Sequence, residues 1–317
     1  MDKKARLIKK YRASYILLIP AIVSVFIFCY LPMAGIVMAF QEYDIIGGIF
    51  ASRFVGLENF VKIFTTPKFL SAIKNTLLYS GVNLIFGTPF PIILAILLNE
   101  LRCRWFRNTI QTISYLPYFL SWISVIGIFQ ILFSSEGTVN AVLSGIFGDR
   151  YTPVNILMDP KYFLGIIFWT GQWKNVGWSS IVFLAAITGI NQSLYEAAAV
   201  DGCSRFKQAF YITLPSIMPT IAIVFIMATA SLVVSNFDQV YGFQNAYIQE
   251  KTEVINTLVY REGILNAEYS MATAFGIAQG LVSFIIVFIT KKIVKKVSDI
   301  GIWQEMSRRR RQNGGLE

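Results

Sequence analysis

The sequence predicts an all-α, polytopic membrane protein with six transmembrane helices and with both termini in the cytoplasm. Of its 317 residues, 55% are hydrophobic, and its mean hydropathy is +0.57. Such values are typical of membrane proteins, because soluble domains contain shorter apolar stretches. A helix needs about 20 apolar residues to cross the hydrocarbon core. Charge-free intervals of that length are Tyr15–Phe40, Asn75–Asn99, Asn108–Ser135, Asn175–Tyr195, Gln208–Phe237 and Tyr269–Thr290.

The first interval is predicted to be a retained helix. It is too long, and begins too far into the chain, for a cleaved signal peptide. Pro20, Pro32 and Gly35 lie within it and predict local bends, which membrane helices tolerate when neighbouring groups satisfy the freed carbonyls.

The positive charges indicate the orientation. With six spans and a cytoplasmic N-terminus, 19 of the 28 Lys and Arg residues fall on the cytoplasmic side, including the Arg308–Arg311 run. This excess follows the positive-inside rule. We therefore expect a basic cytoplasmic segment at 1–14, a transmembrane domain at 15–296 and a basic cytoplasmic tail at 297–317. The net charge of +10 then reflects topology and anionic lipid headgroups, and no nucleic-acid partner is expected.

Missing residue types exclude several kinds of chemistry. The chain has no histidine, which removes Ser-His and Cys-His catalysis and histidine-based zinc sites. It has no G-x-x-x-x-G-K-[S/T] phosphate loop, so ATP binding of that type is not expected. Cys29, Cys103 and Cys203 fall in a helix and in two cytoplasmic segments and imply no disulfide framework.

The polar segment between the fourth and fifth apolar intervals is the most informative part of the chain. It predicts a helix, a break and a second helix. Glu196 is expected near the positive end of the first helix, and Gly202 allows the turn. Phe206 and Phe210 are four residues apart and share a face of the second helix. Pro215 is expected where a new helix begins.

This segment resembles the EAA loop of the membrane subunits of binding-protein-dependent ABC importers, in which E-A-A-x-x-x-G is followed by I-x-L-P. The pattern is matched by Glu196, Ala197, Ala198, Gly202, Ile212, Leu214 and Pro215. Asp201 and Phe210 match the carbohydrate-importer version, and Cys203 departs from the usual Ala. The resemblance implies a type I ABC importer permease fold.

The resemblance also implies the partners. In this family the loop, here 191–215, is a coupling helix that docks on a cytoplasmic ATPase. Two ATPase subunits bind the ATP and Mg, so no cofactor and no enzymatic activity are expected in this chain. A second, non-identical permease completes the pore, and an extracytoplasmic solute-binding protein delivers the solute. The implied coupling residues are Glu196, Ala197, Ala198, Asp201, Gly202, Arg205, Leu214 and Pro215. Arg205 is open to a second interpretation, as a topology charge.

Other segments carry the resemblance further. The opening KKYRASYILLIPAIVSVFIFCYLPMAGIVMAFQEYD is similar to the first helix of Gram-positive sugar-importer permeases, and FVGLENFVKIF at 54–64 to their first external loop. The subgroup imports oligosaccharides or complex glycans. The implied location is the cytoplasmic membrane of a Gram-positive bacterium.

Two segments mix aromatic rings with amides, which suits sugar binding, and both lie on helices that line the pore in the similar maltose importer. The candidate pathway residues are Trp169, Gln172, Trp173 and Asn175, followed by Asn236, Asp238, Gln239 and Tyr241. Interfacial anchoring of the aromatics, interhelical bonding of the amides and snorkelling of Lys174 are the alternatives.

Three other functions remain open at this point. The first is the same kind of permease for a non-sugar solute. The second is a secondary transporter, although acids are scarce within the apolar intervals. The third is a membrane-embedded enzyme, for which no catalytic constellation is present. The external loops 134–162 and 237–269 are expected to dock the binding protein.

Overall fold

A computed structural model describes residues 11–313, with the side chains at 13, 14, 149 and from 295 onward left out. The predicted basic N-terminal segment lies mostly outside the described residues, as do residues 314–317. The described chain forms two compact units. One contains the chain up to Thr66 together with Val259–Ala278, and the other contains Pro67–Leu258 and the chain from Gln279.

Helices make up most of both units. The α-helices are α1 (Arg12–Val25), α2 (Gly48–Ala51), α3 (Glu58–Thr65), α4 (Pro67–Val82), α5 (Pro89–Glu100), α6 (Arg104–Tyr115), α7 (Trp122–Phe133), α8 (Thr138–Phe147), α9 (Pro160–Thr188), α10 (Gln192–Val200), α11 (Arg205–Gln208), α12 (Leu214–Ser216), α13 (Met218–Thr229), α14 (Phe237–Phe243), α15 (Gln249–Thr252), α16 (Ile255–Tyr260) and α17 (Tyr269–Asn313). Turns of 3-10 helix lie at Leu31–Phe40, Leu116–Phe119, Gly148–Arg150 and Ile156–Met158, and π-helical turns at Phe26–Tyr30, Asn83–Gly87, Ala209–Thr213 and Arg261–Leu265.

In the first unit, the first span ends in a short hairpin. The strands β1 (Gln41–Glu42) and β2 (Arg53–Phe54) pair antiparallel. Asn59 of α3 is buried and donates from Nδ2 to the carbonyl oxygens of Ala39 and Gln41, at 2.9 and 3.0 Å. The hairpin and α3 are therefore held against the end of the span.

Four helical stretches are long and apolar enough to span a membrane on their own: Tyr15–Phe40, Pro67–Glu100, Trp122–Phe147 and Tyr269–Val294. Two bent pairs also qualify, namely Pro160–Thr188 with Gln192–Val200, bent by 72°, and Arg205–Ser216 with Met218–Thr229, bent by 63°. The described residues thus contain four to six candidate spans. The predicted number of six is reached when each bent pair counts as one span.

The predicted first span has the bounds that the structure gives, and several others do not. The interval Asn108–Ser135 is broken, because α6 ends at Tyr115 and α7 begins at Trp122. The interval that was expected to begin at Asn175 belongs to a helix that begins fifteen residues earlier, at Pro160. The predicted boundary is wrong because it places Lys174 outside the helix. Lys174 lies inside the helix and is buried there.

Helix α9 forms the centre of the second unit. The buried residues of this helix are Phe163, Ile167, Thr170, Lys174, Gly177, Ser180, Phe183 and Ile187. These positions recur every three or four residues, the spacing of one helix face. One end of this face packs in an apolar cluster with Tyr79 and Val240, and the other end packs with Ala95 and Ile217.

Candidate functional site

The EAA-like segment forms a helix with well-defined ends. The Asn191 side chain caps the start of α10, because its Oδ1 accepts from Ser193 N at 3.0 Å. At the other end, Cys203 N donates to Ala198 O at 2.8 Å and Gly202 N donates to Ala199 O at 3.1 Å. Gly202 has a φ of 73°, the left-handed conformation that this hydrogen-bond pattern needs. The predicted role of Gly202 in the turn is confirmed.

Glu196 lies elsewhere on the helix than predicted. Because α10 begins at Gln192, Glu196 is in its middle and does not meet the positive end of the helix dipole. The predicted position of Glu196 near the start of this helix is therefore wrong. The side chains of Glu196, Ala197 and Asp201 are exposed, and Ala198 is half-buried. They form a polar, small-residue surface beside the turn.

Arg205 has a partner within the chain. Its Nη1 lies 3.1 Å from Glu100 Oε2, and it also donates to the Glu100 carbonyl at 3.4 Å. Glu100 is the last residue of α5. The ion pair therefore ties the start of α11 to the end of the second span.

The same segment exposes large apolar side chains. Val200, Phe206 and Tyr211 are 88%, 75% and 77% exposed. Phe206 and Phe210 lie with ring centroids 4.9 Å apart, which confirms that they share a face. Charged and apolar groups thus alternate on a surface that the described residues leave uncovered.

The helix does not begin anew at Pro215. Residues Arg205–Ser216 form one helical run, with a π-helical turn at Ala209–Thr213 just before the proline. Leu214 is half-buried and Pro215 is exposed, so the firmer anchors are their neighbours. Thr213 Oγ1 is 2.8 Å from Tyr195 OH, and Ile217 is 1% exposed at the 63° bend.

A cavity of about 480 Å³, lined by both apolar and polar side chains, lies among the helices of the second unit. This volume is within the range of about 300–1,000 Å³ that small-molecule sites commonly have. The cavity is lined by residues of α4 and α5, of α9, and of the chain from Val224 to Val240. Of the predicted pathway residues, Gln172, Asn175, Asn236 and Gln239 line it.

The lining amides differ in how they are used. Gln239 is 5% exposed and donates from Nε2 to Ile167 O at 2.7 Å and to Thr170 Oγ1 at 2.8 Å. Asn236 Oδ1 caps α14 by accepting from Gln239 N, and Asn175 donates to Gly171 O within its own helix. These three side chains shape the wall.

The other four predicted pathway residues are not among the residues that line this cavity. Trp169 packs on Phe168, with centroids 5.1 Å apart. Trp173 packs on Phe129 at 5.6 Å. Tyr241 stacks on Phe237 at 5.1 Å, and Asp238 is exposed in the first turn of α14.

Sequence reasoning missed the residue that faces Gln172. Asn83 lines the cavity and accepts from Gln172 Nε2 through Oδ1, at 2.8 Å. A signal was present, because Asn83 is the one amide side chain inside the apolar interval between Asn75 and Asn99. An isolated amide in a spanning segment commonly bonds to another helix.

Comparison with known proteins gives consistent matches along the chain. Residues 87–299 match the family described as "Binding-protein-dependent transport system inner membrane component". The polygalacturonan/rhamnogalacturonan transport system permease protein YteP of Bacillus subtilis (strain 168) is 36% identical over 305 residues, 95% of this chain and 94% of YteP. The lactose transport system permease protein LacF of Rhizobium radiobacter is 28% identical over 267 residues, 81% of this chain and 87% of LacF.

A solved structure is similar over nearly the whole chain. It is the crystal structure of a bacterial ABC transporter involved in the import of the acidic polysaccharide alginate. The TM-score is 0.85 and the identity 37%, and the match covers 93% of this chain and 99% of the solved one.

Together with the helices and the cavity, these matches define the class as a multi-pass membrane transport subunit, which is a permease and not an enzyme. The chain belongs to the binding-protein-dependent transport system inner membrane component family. Its fold is the type I ABC importer permease fold predicted above.

Proposed function

We propose that this chain is the pore-forming permease subunit of an ATP-driven importer of carbohydrates, specifically of oligosaccharides or complex glycans. Its place is the cytoplasmic membrane of a bacterium, in keeping with a Gram-positive source. The observation that carries this proposal is the capped, exposed helix–turn–helix at Gln192–Ser216, whose second helix continues across the bend at Ile217 into α13 as one bent candidate span. Such an element can transmit a conformational change from the cytoplasmic side to the pore.

Two ATPase subunits are the proposed source of that conformational change, and they bind the ATP and Mg. Val200, Phe206 and Tyr211 supply apolar surface for the contact, and Glu196 and Asp201 supply charge. Burying one large apolar side chain contributes about 1.5–3 kcal/mol, so these exposed side chains favour docking. Ala197 and Ala198 let the helix approach a protein surface closely. Arg205 contributes through Glu100, by fixing the loop to α5.

A second, non-identical permease and an extracytoplasmic solute-binding protein complete the proposed assembly. In the first candidate span, none of the most apolar 18-residue window is buried. That surface is available to lipid and to a second permease. The alignment with a transporter solved in complex with a pentasaccharide-bound periplasmic protein supports the binding-protein partner. The proposed docking loops are 134–162 and 237–269.

Names of similar proteins support a carbohydrate as the solute. They specify polygalacturonan/rhamnogalacturonan, lactose and alginate. A non-sugar solute is the second candidate, because the sn-glycerol-3-phosphate permease UgpA of Pectobacterium atrosepticum is also 27% identical over 264 residues. Within this proposal Gln172, Asn175, Asn236 and Gln239 border the solute path. Trp169, Trp173, Asp238 and Tyr241 would reach solute only in a larger cavity that a second permease completes.

Co-purification from the native membrane in a gentle detergent tests the proposal. We expect the unchanged chain to recover an ATPase, a second permease and a binding protein. In Phe206→Ser, recovery of the ATPase should fall about tenfold or more, since a buried Phe contributes more than the 1.4 kcal/mol that a factor of ten represents. Tyr247→Ser is the control, because Tyr247 is 79% exposed on a predicted external loop. Recovery of the chain alone, with transport driven by an ion gradient, would support a secondary transporter instead.

A further inference from the structure

A π-helical turn lies at the middle of the second span. The turn Asn83–Gly87 separates α4 from α5 within the 34-residue stretch Pro67–Glu100. Single π-helical turns inside α-helices interrupt the regular hydrogen bonding and occur frequently at functional sites. Here both Asn83 and Gly87 line the cavity. The irregular backbone is therefore placed on the cavity wall.

The amide pair lies directly over Gly87, in the space that a side chain at this position would occupy. A Cβ on Gly87 would lie 2.6 Å from Asn83 Oδ1 and would also collide with Gln172 Nε2. Side chains do not approach one another so closely, so any larger residue would push the two amides apart. The π-helical turn and Gly87 together make room for the Asn83–Gln172 hydrogen bond of 2.8 Å.

The amide pair has one donor and one acceptor that its own hydrogen bond does not use. One bond joins Gln172 Nε2 to Asn83 Oδ1. Within the described part of the chain, neither the donor Asn83 Nδ2 nor the acceptor Gln172 Oε1 has a protein partner. Ser235 lines the same cavity, is 8% exposed, and its Oγ also has no partner among the described residues. An unpaired donor and acceptor side by side match neighbouring hydroxyls, each of which both donates and accepts.

The cavity around the pair is uncharged. Its polar lining consists of amides and hydroxyls, and no Asp, Glu, Lys or Arg is among the lining residues that the structure describes. Phe168 adds an aromatic ring to the wall. An uncharged wall offers no counter-ion to a carboxylate or phosphate, whose desolvation would then be costly. It suits the hydroxyl-bearing, neutral part of a glycosyl unit.

We infer that Asn83 and Gln172, held together across Gly87, form a solute subsite that binds adjacent hydroxyl groups of a glycosyl unit, independently of any acidic group the glycan carries. This inference rests on the proposed function, since it concerns a carbohydrate on its way through the pore. It identifies Asn83 and Gln172 as specificity-determining residues and Gly87 as the residue that positions them.

The test uses the complete transporter, purified with its co-purifying subunits and reconstituted in vesicles with saturating binding protein. The probe is a pool of neutral and uronic acid-containing di- to pentasaccharides, with uptake of each measured by mass spectrometry and ATP hydrolysis measured in the same vesicles. Asn83→Leu and Gln172→Met keep the volume and remove the amides. Gln111→Met is the matched control, because Gln111 donates to Tyr115 OH at 2.6 Å on α6 and does not line the cavity.

We expect each single variant to lower solute uptake per ATP hydrolysed by about tenfold or more, the effect of losing one hydrogen bond whose partner is left unsatisfied. Neutral and acidic glycans should be affected alike, and the double variant should be within about twofold of the worse single one. Gln111→Met should transport normally. Three results would each overturn the subsite. They are an unchanged uptake per ATP hydrolysed in both single variants, an equal loss of uptake and ATP hydrolysis, and a loss of uptake confined to acidic glycans. Failure of the unchanged protein to take up any glycan would instead overturn the proposed function.

Discussion

Lys174 donates from Nζ to the carbonyl oxygen of Leu120, at 2.6 Å, although it lies in the middle of a 29-residue helix. The same ammonium donates to Tyr118 O at 2.7 Å and to Pro117 O at 3.4 Å. These carbonyls belong to the break between α6 and α7, where regular helical bonding stops. The Tyr118 and Trp122 rings lie 5.4 and 5.5 Å from the ammonium, close enough for cation–π attraction. A buried cation thus holds the break in place, and snorkelling of Lys174 to the outer surface is wrong.

Replacing Lys174 by Met should destabilise the protein. The change keeps the length of the side chain but leaves buried carbonyl groups without a donor, which costs about 1–3 kcal/mol or more. Thermal unfolding of the purified complex in detergent measures the loss. Lys161→Met is the control on the same helix, because Lys161 is exposed. Equal unfolding temperatures for the two variants would show that the three carbonyl contacts add no stability.

Gly177 should not tolerate Ala. A Cβ there would lie 2.9 Å from Tyr115 N and closer still to the Ser114 carbonyl, which would force α6 away from α9. Overpacking of this kind costs about 1–3 kcal/mol. Gly165→Ala on the same helix meets no atom within 4 Å and should be neutral or stabilising, by up to about 1 kcal/mol. Thermal unfolding of both variants decides the matter, and equal loss from both would point to backbone flexibility.

The Arg205–Glu100 ion pair should contribute little stability. Both side chains are partly exposed, at 55% and 30%, and exposed pairs contribute about 0.2–1 kcal/mol. A double-mutant cycle with Arg205→Glu, Glu100→Arg and the exchanged pair measures the coupling free energy. The exchanged pair should recover most of the loss of either single variant at low salt, and the coupling should shrink in 1 M salt because of screening. Strong coupling that persists in high salt would indicate that the pair is buried in the assembly.

The features that the sequence predicted correctly depend on residues close together in the chain. The features that it did not predict depend on contacts between residues far apart in the chain. Tyr15–Phe40 and the turn at Gly202 depend on neighbouring residues, and both agree with the structure. Treating every charge as a helix boundary failed at Lys174, because its carbonyl partners lie more than 50 residues away in the chain. Gln172 lines the cavity, but its partner Asn83 is 89 residues distant, so the pair could not be inferred from the sequence.

The start of α10 is a different case, because a local signal existed. Asn191 is a preferred capping residue and stands directly before the helix, whereas the E-A-A pattern predicted a start near Glu196. The tryptophans of α9 show the reverse problem. Trp169 and Trp173 look suited to sugar stacking, yet they pack on Phe90 and Phe129, which belong to other helices. Which ring packs against which is decided by tertiary structure.

Replacing Gly202 by Val should uncouple transport without preventing membrane insertion. At a φ of 73° a side chain with a Cβ costs about 1–2 kcal/mol, and β-branching adds to this. The turn would relax, and the Cys203 N to Ala198 O bond that ends α10 would be lost. ATP-driven uptake in reconstituted vesicles should fall about 5–30-fold, the factor that 1–2 kcal/mol represents. Gly202→Asn should be milder, since Asn tolerates the left-handed region. Gly189→Ala, at an ordinary φ of −82° just before the loop, should transport normally. Full uptake by Gly202→Val would mean that the left-handed turn has no part in coupling.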